Sequence, residues 1–582
     1  MPPPRALLDA WHVAESERQH LEGLVGVRVG ALRSAARLGA LPAQLTLPLP
    51  PGVKALRFRA SLTSEESGCT ATLSARRGQA ASSRPLSASL STSEWTSLAL
   101  DTPGGDAEPL EIEVQARGCT AWAALSEIRL FSQPLSQAET PRRGNAGRHP
   151  DLLLIVLDTL RRDHFDCSEA TAELMPHTYS LWCQRGLFLE DAFSTSPWTY
   201  PAVASMLTGL RPEEHGGLRR GRQQLDLHRS VTTLAEILRW GGYATGAINP
   251  NWQAGRGLWR GFDSFIERHA GDPQRRIAVD EAQLRRGEGV VDDAIDWLDA
   301  QARLAPSQPV FLFLLFLDAH EPVNAGPLSG RVPESCAGIE PLPTRWQGIA
   351  NWPEHRAGME PANMSCRRDL YREALRYLDE QLGRLARHLE DTGRMASTGL
   401  VLLSDHGEEF WDHAQRASPD ARGPLGYGHG HTLYGELVRV PLLVVPPGAT
   451  REPTRSARLA SVRDAFATLL GMAGLQAPTS TTSRDLLAGG AGHPLVVSDT
   501  TLYGPEGFSV STPELRAIVS GAGPTRVFDR RADPEEHSPL LPEAPLARRG
   551  AALLEQTRAA GKRSSQPSES DRAALRALGY AE

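Results

Sequence analysis

Asp151-Leu-Leu-Leu-Ile-Val-Leu-Asp158-Thr-Leu-Arg161 is the stretch that decides the fold. Six consecutive apolar residues read as a strand buried on both faces, and the run stops at a carboxylate. Strands of that kind belong to mainly parallel sheets covered by helices on both sides. In such sheets ligands bind beyond the carboxyl ends of the strands, so Asp158 stands where a metal or substrate would be held. A strand ending in Asp is also common at ordinary turns, and the other segments have to weigh in.

Two more segments repeat the design. Gly399-Leu-Val-Leu-Leu-Ser-Asp405-His406-Gly407 is an apolar strand followed by an acid and a histidine side by side. Pro309-Val-Phe-Leu-Phe-Leu-Leu-Phe-Leu-Asp318-Ala-His320 does the same. Carboxylate oxygen and imidazole nitrogen are ligands for Zn²⁺, Mn²⁺, Mg²⁺ or Ca²⁺, and the lack of thiolates argues against a structural zinc knot. The bland alternative is that His406 and His320 are hydrogen-bonded core histidines.

The chain has 582 residues, enough for two to four domains. Its 62 basic and 69 acidic residues give a net charge of −7, with no basic excess for a nucleic-acid backbone and no polybasic membrane patch. Lysine occurs only at Lys54 and Lys562, so the middle of the chain offers a substrate no amine. No stretch approaches the roughly 18–20 apolar residues of a membrane span. The first residues lack an apolar export segment, so the sequence separates neither an intracellular location nor a lost leader. Six cysteines show no metal-binding spacing; Cys69 with Cys119, and Cys336 with Cys366, are candidate disulfides, and unpaired buried thiols are the alternative. Oligomeric state is not legible.

Residues 1–140 carry short runs of period two, such as Leu110-Glu-Ile-Glu-Val-Gln-Ala, and are expected to form a β-sandwich-like domain. Polar, turn-rich residues 137–148 read as a linker. A catalytic α/β region is expected over 148–490, a mainly parallel, doubly wound sheet, with amphipathic helices at Val231–Trp240 and Asp369–Asp391. Residues 323–366 suggest a long loop insertion near the site mouth, 491–560 a small antiparallel subdomain, and 561–582 a mobile tail.

Between the acid-bearing strands lies Ser194-Thr-Ser-Pro-Trp-Thr199-Tyr-Pro201-Ala-Val-Ala-Ser-Met-Leu-Thr-Gly209. Proline near the start and glycine at the end spell a short helix. Thr199 then falls at the N-cap or just before it, where free N–H groups attract a phosphoryl or sulfuryl group. A hydroxyl beside a divalent cation ionises more easily and can attack such a group. As a plain helix cap, Thr199 would need no chemistry at all.

These motifs, in this order, resemble the sulfatase branch of the alkaline-phosphatase superfamily. The likeness runs through Asp158-Thr-Leu-Arg161, Pro-Trp-Thr199-Tyr-Pro, His320-Glu-Pro, Ser-Asp405-His406-Gly-Glu-Glu and Gly-His429-Gly-His431-Thr-Leu-Tyr. It covers about 148–540 and closes on Val527-Phe-Asp-Arg-Arg-Ala-Asp-Pro-Glu-Glu. The resemblance implies an alkaline-phosphatase-like fold and a divalent metal, Ca²⁺, Mg²⁺, Mn²⁺ or Zn²⁺. It assigns Asp158, Thr199, Asp405 and His406 to that metal and makes Thr199 the nucleophile. It gives His320 to the substrate's anionic group, although Val323 replaces the family's aromatic, and puts His429 or His431 where a substrate-contacting lysine or further metal histidine stands. It also suggests a periplasmic or secreted location.

The departures matter as much. Sulfatases of this branch carry Cys-x-Pro-x-Arg, or Ser for Cys, whose first residue becomes formylglycine. Here the run is Thr199-Tyr-Pro201-Ala-Val203, and the sulfate-gripping lysines are missing. Threonine in this place resembles the superfamily's phosphatases, phosphodiesterases, phosphonate hydrolases and phosphoglycerol transferases. The leading expectation is therefore a hydrolase of phosphate or phosphonate mono- or diesters, small or polymeric. Arg161, Arg162, His164, His320 and His429 are the candidates to replace the lysines, with His320 protonating the leaving group. The alternatives are a sulfuric ester hydrolase working without formylglycine and an inactive member that binds polysaccharide. A second metal would have to recruit from Asp163, His164, Asp318, His413, His429 or His431.

Overall fold

The protein is described from a computed structural model. It covers the N-terminal strands between residues 25 and 131 and Cys69 and Cys119 beside them. It also covers residues 149–564 except 221–222, 229–230, 252–253, 255–256, 268–285, 306–307, 321–332, 338–363, 414–426, 451, 503–505 and 522. The expected linker at 137–148 and most of the expected insertion at 323–366 and of the expected tail fall outside these residues.

Asp151–Leu157 (β1) is the centre of the main sheet, parallel to Val310–Phe316 (β5) on one side and Thr398–Leu403 (β6) on the other. Beyond β5 come Ala244–Asn249 (β3) and Ser264–Glu267 (β4), both parallel. Beyond β6 lies Arg439–Val445 (β7), antiparallel to β6 and to Leu187–Phe193 (β2), with Thr454–Ser461 (β8) parallel to β2 at the edge.

Alternation explains why β1 is apolar throughout. Leu152, Leu154 and Val156 enter one core with Phe311, Phe313, Val401 and Leu403. Leu153, Ile155 and Leu157 enter the opposite core with Leu312, Leu314, Leu400 and Leu402. The first face is covered by helices Thr199–Thr208 (α1) and Asp464–Met472 (α4), the second by Gly287–Leu304 (α2) and Met364–Asp391 (α3). A buried leucine of this kind contributes about 1.5–3 kcal/mol. Both amphipathic stretches read from the sequence are helical. One lies within α3; the other forms Leu234–Trp240, started by a capping box between Thr233 and Glu236.

The C-terminal part is an antiparallel meander of Val496–Asp499 (β9), Gly507–Ser511 (β10), Leu515–Ser520 (β11) and Arg526–Asp529 (β12), packed on helix Pro545–Ser564 (α5). The N-terminal strands form two sheets. One, containing Leu32–Ala40, Ala121–Phe131, Ala55–Ser64 and Thr96–Asp101, continues the main sheet, because Leu32–Ala40 pairs antiparallel with β4. The other is Ala43–Leu47, Leu110–Arg117, Thr70–Arg77 and Leu86–Ser91. All six cysteines are paired: Cys69–Cys119 and Cys336–Cys366, the two candidate pairs, and also Cys167–Cys183. Among the described residues no helix is long and apolar enough to cross a membrane.

Candidate active site

The carboxyl ends of β1, β6, β5 and β3 meet at one rim. The ladder runs one residue past β1, where the Asp158 N–H donates to Phe316 O at 2.9 Å. Ser404 ties the two central exits together, its hydroxyl reaching Leu157 O at 2.7 Å and His406 O at 2.6 Å. Asp158 and Asp405 are thereby delivered side by side, both fully buried.

Each of these carboxylates has one oxygen engaged and one left over. Asp405 Oδ1 accepts the N–H groups of His406 at 2.9 Å and Thr159 at 3.3 Å. Asp158 Oδ2 accepts from the Thr199 hydroxyl at 3.2 Å and Asn251 Nδ2 at 3.3 Å. Asp158 Oδ1 and Asp405 Oδ2 are buried without a hydrogen-bond partner. His406 Nδ1 lies 2.9 Å from Gly407 O, so that nitrogen carries the proton and Nε2 presents a lone pair. Nε2 is 3.4 Å from Asp158 Oδ1, 3.3 Å from Asp405 Oδ2 and 3.3 Å from Thr199 Oγ1.

A lone pair and two orphaned carboxylate oxygens facing one another repel. Burial pushes both carboxyls up, Asp158 well above the usual range with Asp405 adding to it, and holds His406 down at about 3. A cation removes this frustration, and Asp158, Asp405 and His406 form the one group among the described residues able to hold a metal. Separations of 3.3–3.4 Å from His406 Nε2 to Asp158, Asp405 and Thr199 suit an ion with ligand bonds of about 2.0–2.4 Å.

Two backbone features make the cluster possible. A Cβ on Gly407 would stand 1.9 Å from Glu436 O, so only glycine fits directly after His406. Thr159 holds a left-handed conformation (φ 64°), unfavourable for a β-branched residue, with its N–H aimed at Asp405 and its hydroxyl 2.6 Å from Asp158 O.

Thr199 is the first residue of α1 rather than its N-cap; Trp198 takes that place without a side-chain cap bond. The threonine hydroxyl is therefore not spent on capping and points at Asp158 and His406. Asn251, unforeseen in the sequence, donates towards Asp158 and lies 3.4 Å from Thr199 Oγ1. The signal existed: β3 is buried throughout and runs out through Asn249-Pro-Asn251, a fourth strand ending in a polar group.

His429 and His320 border the cluster, His429 with its ring 4.3 Å from His406 and 4.7 Å from His320. Glu408, buried and also unforeseen, holds His429 Nδ1 at 3.1 Å. Left-handed Gly428 and Gly430 (φ 84° and 82°) swing the chain on either side of His429. His431 is turned to Glu409, to which its Nε2 is committed at 2.5 Å.

Arg161 is a correction. Its guanidinium is spent on Asp163 (2.7 and 2.9 Å), Asp412 (2.8 Å) and Glu408 O (2.8 Å), over the Phe410 ring. It buttresses the loop carrying Glu408 and has no donor to spare for substrate. Among the suggested recruits for a second metal, Asp163 pairs with His164 and Arg161, and His413 with Glu436. Asp318 accepts the Gly287 N–H at 2.9 Å at the start of α2. Arg162 lies against Phe188 and near Asp166.

Residues 150–475 match the family model described as Sulfatase. The chain belongs to the sulfatase family. It is 31% identical over 122 residues to an N-acetylgalactosamine-6-O-sulfatase of Bacteroides thetaiotaomicron, covering 21% of this chain and 24% of that one. It spans between 24% and 64% of the length of the first three curated relatives it matches. Among solved structures, a 2-O GAG sulfatase superposes with TM-score 0.56 at 19% identity, over 71% of this chain and 93% of that one. A phosphonate monoester hydrolase of Silicibacter pomeroyi gives 0.54 at 18%, over 71% and 96%. Both show the same α/β fold, as expected for the sulfatase branch of the alkaline-phosphatase superfamily.

Proposed function

We propose that the protein is a metal-dependent hydrolase of phosphate or phosphonate esters in which Thr199 is the nucleophile. One observation carries the reading: the Thr199 hydroxyl lies 3.2 Å from Asp158 Oδ2 and 3.3 Å from His406 Nε2, inside the metal-ligand cluster. Asp158, Asp405, His406 and Thr199 would hold the ion. When bound, it supplies positive charge that lowers the hydroxyl's pKa and neutralises the ester's oxygens.

The chain's own groups do the rest. Asp158 accepts the hydroxyl proton's hydrogen bond and aims Oγ1, while Asn251 Nδ2 fixes the same oxygens from the other side. The first N–H groups of α1 face developing negative charge. Oγ1, passing its proton to Asp158, bonds to phosphorus as the ester oxygen leaves with a proton from His320; water, returning a proton to His320, then cleaves the phospho-threonine. Asp158 and Asp405 would set two negative charges against one divalent ion, and buried Glu408 is near enough to act on Asp158 as well. That balance favours esters bearing a single charge, diesters and phosphonate monoesters, over dianionic monoesters. Direct attack on a sulfate ester is the second reading, favoured by its single charge and by the relatives' names. Its weakness is that a sulfated threonine lacks the elimination route open to an aldehyde hydrate.

Three disulfides that use every cysteine support an oxidising compartment, periplasmic or extracellular. A panel of aryl phosphate monoester, diester, phosphonate and sulfate with each divalent metal tests the function. Thr199→Ala is expected to lose at least about a hundredfold in phosphorus-ester turnover. Sulfate turnover above phosphorus-ester turnover would overturn the reading.

A further inference from the structure

The C-terminal sheet reaches into the active site through one short segment. From the end of β9 onward the chain zips along the residues preceding the nucleophile. The Ser498 hydroxyl donates to Ser194 O at 2.6 Å and the Asp499 N–H to Thr195 O at 2.9 Å. Thr500 O then accepts two donors from the nucleophile segment, Trp198 Nε1 at 2.6 Å and Ser196 Oγ at 3.1 Å. Two residues later the Leu502 N–H donates to Gly430 O at 2.7 Å, in the peptide between His429 and His431. A single five-residue stretch is thus bonded both to the chain just before Thr199 and to the loop that carries His429.

Thr500 turns this corner in a left-handed conformation, φ 57°, which a β-branched residue strongly disfavours. Without that turn its carbonyl would not face the indole. Trp198 is 1% exposed, and as the N-cap residue it fixes where α1 begins. Apolar packing alone would bury the ring without using its N–H.

We propose that residues 498–502 are a positioning clamp for catalysis: Thr500, through Trp198, sets Thr199 at a fixed distance from the His429 loop. The inference rests on Thr199 being the attacking group. It makes Trp198 and Thr500 positioning residues, neither touching substrate. Such groups act on the chemical step, because small displacements of a nucleophile cost rate while leaving the bound ester's contacts largely intact.

Trp198→Phe keeps the packing and removes the N–H. Val519→Ala, in the C-terminal sheet's own core, serves as a control for simple destabilisation. With Thr199→Ala alongside, kcat, KM, bound metal and Tm are measured on an aryl phosphodiester. Trp198→Phe is expected to lower kcat by about ten- to a hundredfold, with KM and metal content within about twofold. Val519→Ala should lower Tm without changing kcat. Wild-type kcat in Trp198→Phe while Thr199→Ala is dead overturns the clamp alone, as does a kcat loss in Val519→Ala matching that of Trp198→Phe. Activity surviving in Thr199→Ala overturns the nucleophile reading, and the clamp with it.

Discussion

Asn251 is where residue-scale prediction is sharpest. It donates to Asp158 and lies against Thr199 Oγ1 but offers no metal-binding carboxylate or imidazole. Asn251→Ala should therefore lower kcat/KM about ten- to a hundredfold while the protein still binds its metal, checked by elemental analysis beside steady-state kinetics. Asp405→Asn should instead lose the metal. Away from the site, His215 Nδ1 accepts the Gly217 N–H at 3.0 Å while Nε2 faces Pro201 O at 3.2 Å and Ser205 Oγ at 3.1 Å. A second ring proton would point at an N–H, and burial holds this histidine down at about 3 against an ordinary 6.5. Between those values the unfolded chain binds more protons than the folded one, so His215's contribution to stability falls as pH drops below 6.5. For one group the slope is about 1.4 kcal/mol per pH unit. Urea unfolding of wild type and His215→Gln at pH 7.5 and 5 measures it. The gap should narrow by about 2 kcal/mol at the lower pH, and an unchanged gap would contradict the assignment. Legibility at this scale was uneven. Asp158, Asp405 and His406 follow directly from apolar strands that stop at polar residues. Arg161 misled because it sits three residues beyond Asp158, yet its partner Asp412 is 251 positions away and gives no local sign.

Elements were more legible than their partnerships. Strand β1 announced itself because both its faces are buried, and the helix of Thr199–Thr208 because proline and glycine bracket it. The order β2–β7–β6–β1–β5–β3 is set by long-range packing that period alone does not encode. The antiparallel direction of β7 likewise left no trace in its apolar run. Asp318 shows how an element can claim a residue from the site: it leaves β5 as a metal candidate would, and instead caps α2 through the Gly287 N–H. Asp318→Ala should cost about 1 kcal/mol of unfolding free energy with little change in metal content, read from denaturant titration and elemental analysis. Loss of the metal would return Asp318 to the site.

At the scale of the molecule, three disulfides staple three separate regions, with sequence separations of 50, 16 and 30. Two of the pairs were candidates from the sequence; Cys167–Cys183 was not, because the intervening helical turns that bring the two together are set by the second core. Closing the 16-residue loop is worth about 3 kcal/mol by chain entropy, so reduction should lower Tm measurably in calorimetry. The continuity of the N-terminal strands with the main sheet was equally hidden, resting on the pairing of Leu32 and Arg33 with β4. What the whole fold accomplishes is to bring a hydroxyl and three ligand groups from residues 158, 199, 405 and 406 together, each within 3.2–3.4 Å of at least one other. The most direct test is to acid-quench the metal-loaded protein during turnover of an aryl phosphodiester and map the phosphorylated peptide by mass spectrometry. The expected adduct lies on Thr199 and is absent from Thr199→Ala. An adduct on another residue, or undiminished turnover by Thr199→Ala, would contradict it.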